Sequence, residues 1–245
     1  QLMVRLNRCQ RCGECVQACP RGAIRLEDRP VTDLALCQDC GACAQACLPG
    51  ARELVGRVAS VPELLKEIER DVVFYDQSGG GVTLTGGEPL MQPRFTSELL
   101  HACQAHGIHT VLDTSGYAAW EVLEQAARHT NLFLYDLKLM DETRHRQYTG
   151  VSNRLILSNL QRLSAGGAHV IVRIPLIPGV NDDEHDLRLT RQFLAGLPHL
   201  AGVEVLPYHN IAAAKYSALE LAYRLPGLPS PSAERVAWAQ ALVGN

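Results

Sequence analysis

No apolar run in the 245 residues approaches the roughly 20 that a membrane-spanning helix needs. The first residues hold neither the apolar stretch nor the cleavage site of a secretory leader. Charge of one sign is also missing: Lys+Arg 23 against Asp+Glu 26 leave a formal −3. Nothing electrostatic therefore draws the chain to nucleic acid or to an anionic membrane surface. Beyond residue 53 cysteine nearly disappears, Cys103 standing alone, while the other eight of the nine fall between Cys9 and Cys47. A disulfide framework spreads over the body it staples, whereas a metal site gathers its ligands. These absences predict a cytoplasmic, monomeric protein in a reducing compartment, with a metal cofactor near one end. The length fits one large domain and a small one.

The cysteines come in two copies of one spacing. "RCQRCGECVQACP" is C-x2-C-x2-C-x3-C-P over Cys9, Cys12, Cys15, Cys19 and Pro20. "LCQDCGACAQACLP" repeats it as Cys37, Cys40, Cys43 and Cys47, with Leu48 before Pro49. Two-residue loops let three thiolates wrap one cubane, and the fourth, on the next turn, points to the other. Crossed ligation follows: Cys9, Cys12, Cys15 and Cys47 for cluster one, and Cys37, Cys40, Cys43 and Cys19 for cluster two. Gly13 and Gly41 give each loop its freedom. Two structural zinc sites are the competing reading, but zinc knots usually show two separated C-x2-C pairs rather than a run of four. The pattern resembles that of two-cluster bacterial ferredoxins, which implies two 4Fe–4S cubes in a small ferredoxin-like domain over residues 1–53.

From residue 54 to 245 helical and β-rich segments alternate. "GVTLT" (81–85), "IHTVLD" (108–113), "NLFLYDLK" (131–138), "HVIVRIPL" (169–176) and "VEVLPY" (203–208) read as strands. "SVPELLKEIERD" opens on a capping-box pattern, Ser60 with Glu63, and "RFTSELLHACQAH" stops at Gly107. "AAWEVLEQAARH", "RLILSNLQRLSAGG" and "DDEHDLRLTRQFLAGL" carry helical periodicity. Such alternation predicts an α/β fold, a parallel sheet closed into a barrel or part of one, with its site at the C-terminal strand ends. Polar groups punctuate those ends: "GGEP" (86–89), "DTSG" (113–116), "DLK" (136–138), Arg173 in "VRIPLIPG", and His209 in "LPYHN". Five such groups at five consecutive strand ends point to one shared site. Elsewhere, Cys103 reads as a buried core thiol, His185 as solvated, Trp120 and Trp238 as core residues, and Ser232 as the cap of a closing helix.

The ordered set "GGGVTLTGGEPLMQ", "LDTSGYA", "YDLKLMDETRHRQYTGVSN", "VIVRIPLIPGVND" and "LPYHN" resembles the glycyl-radical-enzyme activating enzymes, the pyruvate formate-lyase-activating-enzyme-like branch of the radical S-adenosylmethionine superfamily. The resemblance spans residues 75 to 225 and implies a partial (β/α)6 barrel. It assigns Gly86, Gly87, Glu88 and Pro89 to the methionyl amino group of S-adenosylmethionine. Asp113 and Thr114 fall to the methionyl end or a nearby cation, Asp136 to ribose hydroxyls, and Lys138 to a carboxylate. Arg173 and His209 fall to the ribose and carboxylate side. Relatives often have glycine shortly after that histidine; Ala212 stands here. The implied activity is reductive cleavage of the cofactor and formation of a glycyl radical on a partner enzyme, with a ferredoxin or flavodoxin as electron donor.

The superfamily's C-x3-C-x2-C loop, whose three thiolates leave one iron open, is missing: Gly22 and Gly50 stand where the third cysteine would follow Cys15/Cys19 and Cys43/Cys47. Five strands are found where six are implied. The expectation is thus a copy lacking its first strand, about 30 to 60 N-terminal residues, together with a third, open-iron cluster, and inactive alone. A ferredoxin-type electron carrier on a degenerate barrel is the rival from another class, and it leaves five ligand-like strand ends unexplained. A radical reaction on a small molecule fits the order of "DLKLMD" and "LPYH" less well.

Overall fold

The computed structural model describes residues 1–244; Asn245, the last residue of the expected barrel domain, lies outside them. The chain divides into two compact units, Gln1–Val58 with His209–Leu228, and Ala59–Tyr208 with Pro229–Asn245. The segment from His209 to Leu228, expected within the barrel domain, thus groups with the cysteine-rich end.

In the first unit β1 (Leu2–Val4), α1 (Glu14–Gln17), β2 (Ile24–Leu26), β3 (Pro30–Thr32), α2 (Ala42–Gln45) and β4 (Arg52–Leu54) follow in order. β1 pairs antiparallel with β4, and β2 with β3. The two helices are single turns, each entered through a glycine at φ 81°. That left-handed conformation is costly for any residue with a Cβ, so the Gly after each second cysteine is required by the backbone. The turn it allows carries Cys15 and Cys43 inward, where they pack with Leu2 and Ile24 in a core of their own.

The second unit holds α3 (Val61–Ile68), α4 (Val72–Ser78), β5 (Gly81–Leu84), α5 (Pro93–Ala105), β6 (His109–Thr114), α6 (Trp120–Ala127), β7 (Leu132–Asp136), α7 (Glu142–Thr149), α8 (Arg154–Ala165), β8 (Val170–Leu176), α9 (Glu184–Ala195) and β9 (Gly202–Pro207). α10 (Ala212–Ala218) lies in the returning segment of the first unit, and α11 (Ala233–Val243) closes the second against α9 and β9. The five strands run parallel in the sequential order β5-β6-β7-β8-β9. Helical crossovers join parallel neighbours, as expected of a radical-enzyme partial barrel.

The strands alternate in burial. Along β8, Val170, Val172, Ile174 and Leu176 are buried, while Ile171, Arg173 and Pro175 are less so. Leu112, Phe133 and Tyr135 share the buried face, packed with Leu123, Leu160 and Leu187. Asp113, Asp136 and Arg173 occupy the intermediate positions of the same alternation. The apolar side chains thus serve the core, and the charged ones are gathered on the opposite face by strand period alone. The capping box at Ser60 forms, with Ser60 N donating to Glu63 Oε2 at 2.7 Å. Cys103 is fully buried, as its helix position predicts. Among the described residues, no helix is long and apolar enough to cross a membrane.

Candidate functional site

The cysteine-rich unit contains two hollows. One is lined by Cys9, Cys12, Cys15 and Cys47, the other by Cys19, Cys37, Cys40 and Cys43. Each therefore takes three thiols from one run and the last thiol of the other. All eight are free. Burial pushes the Cys15 and Cys43 thiols up, and the guanidinium of Arg52 works against it at each. Burial acts the same way on Cys19, but the backbone N–H groups of Arg21, Ala23, Gly22 and Ile24 outweigh it, and that thiol is held low. Ala23 N–H donates to Cys19 Sγ at 3.3 Å. Among the described residues, no group of three or more His, Cys, Asp or Glu is placed to hold a single metal ion. Four thiols around each hollow match the ligand count of a fully coordinated 4Fe–4S cube, whose body would fill the space between them.

At the strand ends of the second unit a chain of charge runs across three neighbouring strands. Arg173 on β8 donates from Nη2 to Asp136 Oδ1 at 2.8 Å and from Nε to the same oxygen at 3.2 Å. Its Nη2 also donates to Asp113 Oδ1 on β6. Lys138 Nζ lies 3.9 Å from Asp136 Oδ2, and Thr85 Oγ1 donates to Asp113 Oδ2 at 3.2 Å. Register explains the proximity, because Asp136 and Arg173 are directly opposed across β7 and β8. Burial opposes the charge on Arg173, but Asp136 and Asp113 more than offset it, and its pKa is raised.

Glu88 has a different place from that of a free acceptor. Thr114 Oγ1 donates to its Oε1 at 2.6 Å and Leu90 N–H to the same oxygen at 3.3 Å. Ser115 donates to Oε2 from N–H at 2.9 Å and from Oγ at 2.6 Å. Both carboxylate oxygens are engaged, so Glu88 ties the "GGEP" turn to the "DTSG" loop. Tyr135, directly beneath, is buried, donates to the Ile156 carbonyl at 2.7 Å, and has its phenol pushed up by burial and then by the Glu88 charge. His209 is exposed and belongs to the first unit.

The sequence gives no sign of the braces behind these loops. Asn159 on α8 is buried and donates to the carbonyls of Gly116 and Ala118 at 2.8 and 2.9 Å. Asn153 Nδ2 holds the Leu139 and Met140 carbonyls, Asn181 Nδ2 those of Lys138 and Pro175, and Met140 N–H donates to Asp186. Burial raises the Asp186 pKa first, with backbone donors acting against it. Asn153 and Asn181 lie in "VSN" and "GVND", segments that carry the family resemblance without showing what their side chains do.

Comparison with known proteins identifies the family and the fold. A model described as the radical SAM superfamily matches residues 38–189, and one described as a 4Fe-4S dicluster domain matches residues 8–51. The trans-4-hydroxy-L-proline dehydratase activating enzyme of Clostridioides difficile is 45% identical over 240 residues, covering 96% of this chain and 79% of that protein. The choline trimethylamine-lyase activating enzyme of Oleidesulfovibrio alaskensis is 44% identical over 239 residues, covering 95% and 77%. A solved domain of pyruvate-formate lyase-activating enzyme from Bacteroides vulgatus superposes with a TM-score of 0.57 at 37% identity, covering 67% of this chain and 92% of that one. The parallel sheet with its charged strand ends is thus a radical S-adenosylmethionine fold. Within that class the chain belongs to the glycyl-radical-enzyme activating enzymes.

Proposed function

We propose that the strand-end network is the cradle for S-adenosylmethionine in the reaction by which this activating enzyme places a glycyl radical on a partner enzyme. The observation that carries this reading is the charge chain from Asp113 through Arg173 and Asp136 to Lys138 on one face of the sheet. With Glu88 it sets three carboxylates against two cations, an excess of negative charge that suits a ligand bearing a sulfonium and an ammonium against one carboxylate. Because Glu88 is spent on Thr114 and Ser115, the backbone carbonyls of Gly86 and Gly87 are the acceptors left for the ammonium, while Pro89, whose carbonyl takes Thr96 Oγ1 and Gln92 N–H, holds the turn. Lys138, with one loose carboxylate neighbour, is the cation free to meet the ligand's carboxylate. Asp136 accepts from ribose hydroxyls, Asp113 and Thr114 border the methionyl end, and Arg173 fixes both aspartates.

The two hollows are proposed to hold two 4Fe–4S cubes, one on Cys9, Cys12, Cys15 and Cys47, the other on Cys37, Cys40, Cys43 and Cys19. The ferredoxin-like domain then lies within Gln1–Val58, and the catalytic one in the unit of Ala59–Tyr208 with Pro229–Asn245. Fully thiolate-ligated cubes supply one-electron transfer and leave no iron open to substrate. No C-x3-C-x2-C loop occurs in these 245 residues. The reading therefore includes a third, open-iron cluster with ligands outside this sequence, an electron donor of the ferredoxin or flavodoxin kind, and a cytoplasmic, monomeric protein.

Equilibrium dialysis with S-adenosylmethionine tests the cradle, using anaerobically rebuilt chain completed with the C-x3-C-x2-C loop of a relative. Binding that weakens about tenfold or more in Lys138→Met supports it. No binding by the completed native chain refutes it and favours an electron carrier.

A further inference from the structure

A buried charge is ordinarily paired with an opposite one. Arg52, at the start of β4, is 3% exposed, yet among the described residues no carboxylate pairs with it. Nη1 donates to Thr32 Oγ1 at 2.8 Å and Nη2 to the Pro30 carbonyl at 3.2 Å. Pairing of Arg52 with Val4 fixes the backbone beneath it. A guanidinium has five N–H donors, and these two bonds leave the others for something else. Arg52 lines the hollow of Cys9, Cys12, Cys15 and Cys47, and the strand it opens, β4, packs against α2, the turn that carries Cys43 of the other hollow. The pull of its charge on the Cys15 and Cys43 thiols agrees with that placement.

We propose that Arg52 is the shared counter-ion of the two clusters, a fixed buried cation that holds both at a higher reduction potential than a neutral residue would. The inference rests on the two-cube reading of the hollows. A cube with four thiolates is anionic and becomes more so on reduction, and net charge and hydrogen bonds to sulfur set its potential. Arginine suits the task because it stays charged when buried and its fork is pre-organised. The bonds to Thr32 and Pro30 aim it. Since one cation reaches both sites, its loss moves the two clusters together. Arg52 is thus a positioning and tuning residue for electron flow, without contact to substrate.

Native chain, Arg52→Gln and Arg52→Lys are loaded with iron and sulfide anaerobically and titrated electrochemically with EPR detection. Failure of the native chain to hold about eight irons overturns the two-cube reading and this inference with it. With both cubes present, the ratio of reduced to oxidised cluster at fixed poise is expected to fall about tenfold in Arg52→Gln at both clusters, ~59 mV for a one-electron couple. In Arg52→Lys it is expected to stay within about twofold of native. No change in Arg52→Gln, or a change at one cluster alone, overturns the counter-ion role and leaves the two cubes standing. Should Arg52→Gln lose its iron, Arg52→Lys decides, since it keeps the charge but not the fork. Native iron content and a native ratio support the proposal; loss of iron there makes Arg52 a structural bracket between β3 and β4 and overturns it.

Discussion

Gly116→Ala is the substitution on which the strand-end geometry can be tested most sharply. Gly116 sits at φ 69°, and a Cβ there would lie 1.7 Å from the Tyr135 hydroxyl oxygen, 2.1 Å from Cζ and 2.5 Å from Cε2. Tyr135 cannot yield easily, being fully buried with its hydroxyl bonded to the Ile156 carbonyl. The left-handed backbone costs an alanine roughly 1–2 kcal/mol, and overpacking a filled core adds about 1–3 kcal/mol. The expected loss is therefore roughly 2–5 kcal/mol, a large part of the 5–15 kcal/mol that holds a typical domain. Trp120 and Trp238 both lie in the second unit and none lies in the first, so tryptophan fluorescence in urea follows that unit alone. With a slope of about 1–3 kcal/mol per molar, the midpoint should fall by roughly 0.7 M or more. Gly116→Ala combined with Tyr135→Leu, which removes the clashing ring atoms, should recover about 1 kcal/mol or more relative to additivity. A stability within about 0.5 kcal/mol of native, or strictly additive costs, would refute the close approach and the bracing of the "DTSG" loop derived from it.

Arg173→Met leaves Asp113 and Asp136 without their common cation, and since the side chain is 17% exposed a loss of about 2–4 kcal/mol is expected in the same assay. Adding Asp113→Asn should restore part of it. Asn159→Ala leaves two loop carbonyls without their donor and should cost about 1–3 kcal/mol while weakening S-adenosylmethionine binding, because the Gly116–Ala118 stretch that follows Thr114 is no longer fixed. Asp183, the cap of α9, accepts from Asp186 N–H and pairs with Arg144 at 2.9 Å; these partners hold its carboxyl below the ordinary 3.8. A depressed carboxyl stabilises above its unfolded value and loses that effect as pH falls through its native one. Asp183→Ala should thus cost about 1 kcal/mol at neutral pH, a gap that narrows below pH 3.8, as urea midpoints across pH would show.

The catalytic half of the fold is readable in the sequence because its five strands are short apolar runs, most of them rich in valine, isoleucine or threonine, alternating with amphipathic helices. Four charged residues of three strand ends do meet in one network, since strand period puts Asp113, Asp136 and Arg173 on one face and Lys138 follows. Other features depend on contacts distant in the chain. β1 and β4 are three residues each and exist through pairing across fifty residues, which no periodicity reveals. α7 is polar throughout and is held by its Asp141 cap and the bonds of Glu142 to Arg146 and Arg154, so no apolar stripe announces it. Asn153, Asn159 and Asn181 look like loop or surface residues until their amides are seen holding carbonyls. Glu88 reads as a ligand and is found spent on its neighbours. Nothing in the sequence marks Arg52, which is buried against the hollow of Cys9, Cys12, Cys15 and Cys47.

Crossed pairing of the cysteines underlies every statement about electron flow in this protein. Iron, sulfide and zinc content should be measured on the anaerobically loaded chain, and EPR spectra compared for Cys19→Ser and native protein. The expected result is about eight irons per chain, no zinc, and a Cys19→Ser change confined to the cluster of Cys37, Cys40 and Cys43. Zinc in place of iron, or damage in Cys19→Ser to the cluster of Cys9, Cys12 and Cys15, would contradict it.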